Sequence, residues 1–177
     1  RGSTVIISGE PGIGKTSLLQ EIREHAAERP QDILVTREIL DLYNIYTHTP
    51  DGLVDAIWNI LPPAEAGNFS SYEQQKLVYG KQQASGDFWG LEEQHRQTLR
   101  AFRDDLRKAI GGRKLLLLLD TAEKALYTTN RTSYVDADVA ESWSWLCENL
   151  VEIPNLILLV AGRPQCGQLK HHLDNTN

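Results

Sequence analysis

The stretch Ser8-Gly9-Glu10-Pro11-Gly12-Ile13-Gly14-Lys15-Thr16 constrains the fold more than any other part of the sequence. Ahead of it, Thr4-Val5-Ile6-Ile7 is an apolar, β-branched run without polar alternation, the pattern of a strand buried on both faces of a parallel sheet. Behind it, Leu18, Leu19, Ile22 and Ala26 recur at helical spacing until Arg29-Pro30 stops the pattern. The glycines therefore sit at a strand-to-helix junction. There Gly9, Gly14, Lys15 and Thr16 fill the phosphate-loop pattern G-x-x-x-x-G-K-[ST]. Without side chains, glycines let successive backbone N–H groups converge on an anion, and the helix that starts at this point adds the positive end of its dipole. The sequence thus assigns Gly9, Glu10, Pro11, Gly12, Ile13, Gly14, Lys15, Thr16 and Ser17 to a phosphate cradle. Lys15 would set a point charge between the β- and γ-phosphates of a nucleotide, and the Thr16 hydroxyl would take one position on Mg²⁺. The plainer reading is a glycine-rich turn with a stray lysine.

Downstream, strand and helix patterns alternate. Ile33-Leu34-Val35-Thr36 begins a second extended run that can continue through Ile39 to Tyr43. Thr49-Pro50-Asp51-Gly52 opens a helix with Leu53, Ala56, Ile57, Ile60 and Leu61 on one face, stopped by Pro62-Pro63. Residues 64–90 are polar and glutamine-rich and read as a loop or partly helical insertion. Leu91, His95, Leu99, Phe102, Leu106 and Ile110 make a long amphipathic stripe closed by Gly111-Gly112, with the charges from Arg100 to Lys108 on a solvated face. His95 falls within the stripe and reads as a packed residue rather than a ligand. Lys114 to Asp120 holds five consecutive leucines; Gly-Gly before and Asp-Thr after keep it short, which favours a central strand over a buried helix. A helix is expected over 139–151, with Trp143, Leu146 and Leu150 on one face, and Asn155 to Pro164 repeats the buried-strand plan. Such alternation predicts an α/β fold with a parallel sheet and right-handed crossovers.

In sheets of this kind ligands gather at the carboxyl ends of the strands, which brings Asp120 and Arg163 beside the glycine loop. Asp120 closes its apolar strand as a metal-holding acid would, although an aspartate there also suits a helix N-cap. Glu123 is placed to polarise a water for attack on a γ-phosphate, or to serve as a first-turn cap in a box with Asp120. Arg163 is either a sensor of γ-phosphate charge or a surface arginine before proline. Asp41 and Tyr43 could border the site. Trp58, Trp89, Trp143 and Trp145 read as core or interface aromatics rather than base-stacking platforms.

Composition narrows the setting. A net charge of −6 over 177 residues argues against a nucleic-acid groove as the main feature. Cys147 and Cys166 stand far apart in no metal-ligand spacing, as ordinary thiols of a reducing compartment do. No apolar run has the length of a membrane span and no signal-peptide pattern opens the chain, so a cytoplasmic location is expected. With no methionine at all, the sequence reads as an excised segment.

Taken together, GEPGIGKT, LLLLLDTAE and LILLVAGRP resemble the nucleotide-binding core of the signal-transduction ATPases with numerous domains, the STAND branch of the AAA-like P-loop ATPases. The resemblance extends over roughly residues 3–165. The Asp-Thr-x-Glu form of the second motif is similar to that of a subset of bacterial members, where AAA enzymes usually carry an adjacent Asp-Glu or Asp-Asp pair. It implies a three-layer αβα sandwich with strand order 5-1-4-3-2, Asp120 and Thr16 on Mg²⁺, and Lys15, Glu123 and Arg163 in hydrolysis. It also implies a fifth strand, a helical lid and a winged-helix domain, so residues 1–177 are expected to be a single, incomplete ATPase core. The function that follows is a switch that binds ATP or ADP with Mg²⁺, hydrolyses ATP slowly, self-associates through the whole protein and answers to fused sensor and effector domains in signalling or antiviral defence. Alternatives are a motor or loader ATPase of the AAA or RecA kind acting on nucleic acid or protein, a small-molecule phosphotransferase, and a nucleotide-binding scaffold that does not hydrolyse.

Overall fold

A computed structural model describes residues 2–86, 89–127 and 138–170. The first strand, β1 (Ser3–Ser8), runs directly into the glycine loop, and α1 (Lys15–Ala27) leaves from it. Two short strands follow, β2 (Ile33–Val35) and β3 (Leu40–Asp41), then α2 (Pro50–Ile60). Beyond α3 (Ser70–Ser85) and α4 (Leu91–Ile110) come β4 (Lys114–Asp120), the short pair β5 (Leu126–Tyr127) and β6 (Asp138–Val139), α5 (Glu141–Asn149) and β7 (Leu156–Gly162). Contacts divide the chain into two compact units, Arg1–Leu61 with Gly112–Asn177, and Pro62–Gly111.

The first unit is α/β. Its main sheet has the order β1-β7-β4-β2, with β3 also on β4, and every pairing in it is parallel. Numbering β1, β2/β3, β4 and β7 as strands one to four, this is the 1-4-3-2 part of the expected order. The register sets Ser8 level with Gly162 and Asp41 level with Asp120, so these strand ends share one rim. The five leucines of β4 are at most 5 % exposed because strands cover both edges and helices pack on the sheet. On one face Leu19 and Ala26 of α1 meet Leu116, Leu118 and Ala161.

Three sequence expectations change here. β1 was expected to be buried on both faces, yet among the described strands it pairs with β7 alone, and Val5 is 49 % exposed. The extended run 33–43 is broken into β2 and β3. Between them the chain turns off the sheet: Thr36 Oγ1 donates to the Glu38 carbonyl, and Arg37 donates its backbone N–H to the Ile60 carbonyl and its guanidinium to the Asn59 and Leu61 carbonyls, capping the end of α2. The helix expected over 139–151 starts at Glu141, because Val139 is taken into the ladder with Leu126.

α2 forms as expected. Thr49 Oγ1 accepts from the Gly52 N–H at 3.2 Å, Pro50 fills the first turn, and Leu53, Val54, Ile57 and Ile60 are buried. Gly52 is required by close approach, since a Cβ there would lie 1.7 Å from the Tyr46 carbonyl oxygen.

The second unit is helical, and within 64–90, where the sequence suggested a loop or partly helical insertion, α3 covers Ser70–Ser85. The polar surface conceals a small aromatic core: Phe69 and Tyr72 each pack on Phe102, with ring centroids 5.7 and 5.2 Å apart. His95 stacks on Tyr79 at 5.3 Å, a packed histidine as its place in the stripe suggested. The charged segment Arg100 to Lys108 is not wholly solvated. Asp105 is 1 % exposed, accepting from the Tyr72 N–H at 2.9 Å and from Lys108 Nζ at 2.8 Å. It thereby caps the start of α3, where Phe69 provides no side-chain acceptor.

Of the tryptophans, Trp143 is 2 % exposed and in the core, and Trp89 is 91 % exposed. Among the described residues no helix is long and apolar enough to cross a membrane.

Candidate functional site

The site is built at the shared rim of β1, β4 and β7. Gly12 and Gly14 take φ of +81° and +95°, a region that L side chains enter only with strain, so the loop needs glycine at both positions. Gly9 donates its N–H to the Gly162 carbonyl at 3.2 Å and ties the loop to the end of β7. Gly14 is the N-cap of α1 and offers no side-chain acceptor, and the first turn holds no acidic residue. The first-turn N–H groups of a helix have no carbonyl behind them, so this helix start remains open to an anion. Ile13 is 70 % exposed on the loop.

Lys15 lies back along the loop, donating from Nζ to the Gly9 carbonyl at 2.7 Å and to the Glu10 carbonyl at 2.9 Å. Its charge is thus held on the carbonyls of the loop itself. Thr16 Oγ1 donates to Asp120 Oδ2 at 2.5 Å across 104 residues of sequence. The other carboxylate oxygen of Asp120 accepts the Thr121 N–H at 2.8 Å. Thr121 itself has φ of +58°, uncommon for a β-branched residue, which turns the chain sharply between Asp120 and Glu123.

Glu123 does not face its own turn. Its Oε2 accepts the backbone N–H of Arg163 at 2.9 Å, and its Oε1 lies 3.3 Å from Arg163 Nε. The carboxylate is mostly covered, with 15 % of the side chain exposed, while the arginine is 60 % exposed. Asp41 shapes the turn after β3 by accepting the Tyr43 N–H at 2.9 Å, and Lys124 Nζ sits 5.0 Å from the centre of the Tyr43 ring.

Two neighbours escaped the sequence reading. A Cβ on Gly162 would stand 2.8 Å from Glu123 Oε2, 2.9 Å from Cys166 Cβ and 3.1 Å from the Ala122 N, so the glycine is the space that the Glu123 carboxylate occupies. A glycine inside a strand pattern signals such close approach, and Gly162 in LILLVAGRP carried that signal. Cys166 is fully buried beside it. Burial first, then the negative charge of Glu123, pushes its thiol up to about 11, with Lys15 opposing.

Among the described residues no three His, Cys, Asp or Glu gather as a metal cluster. The oxygens of Thr16 and Asp120 nonetheless fit Mg²⁺, a hard ion that takes one or two protein oxygens and completes its shell with water and phosphate. Comparison with protein-family models, curated proteins and solved structures finds no match for this chain.

Proposed function

We propose that this chain is the P-loop core of an ATP–Mg²⁺ switch that hydrolyses slowly, in a multidomain signalling or defence ATPase. The contact between Thr16 Oγ1 and Asp120 Oδ2 carries the reading. A glycine-rich turn with a stray lysine has no need of a strand-end carboxylate 104 residues away on the hydroxyl that follows that lysine.

In this reading the backbone N–H groups of Gly12, Gly14, Lys15 and Thr16 bind the phosphates, and Lys15 Nζ moves from the Gly9 and Glu10 carbonyls onto the β- and γ-phosphates. Thr16 and Asp120 would hold Mg²⁺, which supplies positive charge against the phosphate oxygens. Glu123 takes a proton from water as the water oxygen bonds to the γ-phosphorus and the bond to the β–γ bridging oxygen breaks, releasing ADP and phosphate. Arg163 offsets charge on the γ-phosphate. Both oxygens of Glu123 are engaged by Arg163 in this conformation, which favours slow turnover over a fast motor.

Thermal unfolding with and without Mg²⁺ and ATP or ADP tests the nucleotide site. Ligand at a hundred times its dissociation constant adds about 2.7 kcal/mol, roughly 5–10 °C of melting shift for a chain of this length. The shift should vanish in Lys15→Ala, and phosphate release by the wild-type chain should be lost in Glu123→Gln. Equal melting temperatures with and without millimolar nucleotide would refute the assignment.

A further inference from the structure

We propose that the exposed face of α4, together with Trp89 just ahead of it, is a binding surface for single-stranded nucleic acid, with phosphates on a row of arginines and a base on the indole ring.

Arg96, Arg100, Arg103 and Arg107 recur at steps of four, three and four residues, which sets them on one face of α4. At a helical rise of about 1.5 Å per residue the row is about 16 Å long, with a cation about every 5–6 Å. Arg96, Arg100 and Arg107 are exposed and Arg103 is half-buried, whereas Phe102, Leu106 and Ala109 lie on the buried side of the helix. Arg96 is paired with Glu93, and Arg103 with Asp104 at 2.9 Å, both solvent-accessible pairs of the kind that a polyanion displaces readily. Among the described residues no hydrogen bond or ion pair engages the guanidinium of Arg100 or Arg107.

The acidic total of the chain does not oppose an anion here. Its 18 Lys and Arg and 24 Asp and Glu divide as 7 and 7 within Pro62–Gly111 and as 11 and 17 in the other unit, which therefore carries the whole net charge of −6. Guanidinium groups suit phosphate oxygens, which they meet in a planar fork.

Trp89 decides between polyanions. It is 91 % exposed, and the Gln82 side chain donates to its backbone carbonyl, so the chain is tied down where the indole leaves it. Folding gains almost nothing from a ring held in water. Proteins that bind single strands combine cations along the backbone with an aromatic ring on which a base stacks. An acidic protein surface would satisfy the arginines and leave the indole idle; so would a duplex, whose bases are already stacked on one another.

The test is fluorescence anisotropy of a labelled mixed-sequence DNA strand of about 20 nucleotides, titrated with the full chain at several salt concentrations. No nucleotide is added, so the outcome is independent of the nucleotide reading. At about 0.7 per phosphate neutralised on a single strand, two to four arginines give log K against log salt a slope of about −1.4 to −2.8. Arg100→Gln with Arg107→Gln should weaken binding about tenfold or more near 50 mM salt and flatten the slope by about 1.4, while the two Lys replacements should keep the slope. Trp89→Ala should weaken binding at least about fivefold with the slope unchanged, because it removes a stacking partner and no charge. Arg29→Gln with Lys114→Gln, the same change of charge on exposed residues of the other unit, should stay within about twofold of the wild type. No binding by the wild-type chain near about 50 mM salt, or a loss in the control pair equal to that in the arginine pair, would overturn the proposal. Equal affinity for the matching duplex, with no effect of Trp89→Ala, would do the same. Equal affinity for polyglutamate of the same length would also overturn it and mark the face as one for an acidic protein.

Discussion

Gly162→Ala puts a single methyl at the centre of the site. That methyl would sit 2.8 Å from Glu123 Oε2, 2.9 Å from Cys166 Cβ and 3.1 Å from the Ala122 N. The glutamate can swing away, but its bond to the Arg163 N–H is then lost; the Cys166 Cβ and the Ala122 N each sit on a short 3-10 turn with little freedom to retreat. Forcing a methyl into a filled space costs about 1–3 kcal/mol, and a hydrogen bond to a charged group contributes about 1.5–3 kcal/mol. The smaller conformational entropy of alanine in the unfolded chain returns about 0.4–1 kcal/mol. The net expectation is a loss of roughly 1.5–5.5 kcal/mol, or about 3–20 °C in melting temperature at this chain length. Denaturant unfolding of wild type and Gly162→Ala reads the loss directly. Repeating it in a Glu123→Ala background should recover about 1 kcal/mol or more, because part of the clash is with that carboxylate. A substitution that changes stability by less than about 0.5 kcal/mol, as ordinary surface changes do, would refute the packing described around Glu123.

Asp105→Ala should destabilise the helical unit by roughly 2–3 kcal/mol, since it removes the cap of α3 and strands the Tyr72 N–H; Asp105→Asn, which keeps an acceptor, should lose less than about half of that. Hydrogen exchange at the start of α3 checks both variants. Cys166 ionises in the unfolded chain near the ordinary value of 9.0 but only at about 11 when folded. Because the folded form holds this proton more tightly, its contribution to stability is complete below pH 9 and is lost as the pH climbs toward 11. Native Cys166 should therefore resist thiol reagents at pH 8 and react at once on denaturation; rapid native labelling at that position, read by mass spectrometry, would contradict its burial.

Local order was open to reading along the chain wherever a single physical signal dominated. The glycine loop, the capped and proline-stopped α2, the leucine strand β4 and the stripe of α4 all declare themselves through periodicity and end signals within a few residues. Failures came where a distant partner decided the outcome. Arg37 and Thr36 look like the continuation of a strand until the end of α2 draws the backbone off the sheet. Asp105 looks like one more surface charge until the start of α3 needs an acceptor. The polar composition of 64–90 gave no hint that Phe69 and Tyr72 find Phe102.

The site divides in the same way. Residue order by itself determined that Gly9 to Thr16 form a strand-to-helix loop, because glycine conformation and helix start are local properties. It also brought Asp120 and Arg163 to the rim, since parallel strands end on one side. Whether Thr16 meets Asp120, and whether Glu123 caps its own turn or reaches another strand, depended on sheet register. Only the tertiary structure decided those points, placing Gly162 where the carboxylate needs room and giving Glu123 both the backbone and the side chain of Arg163.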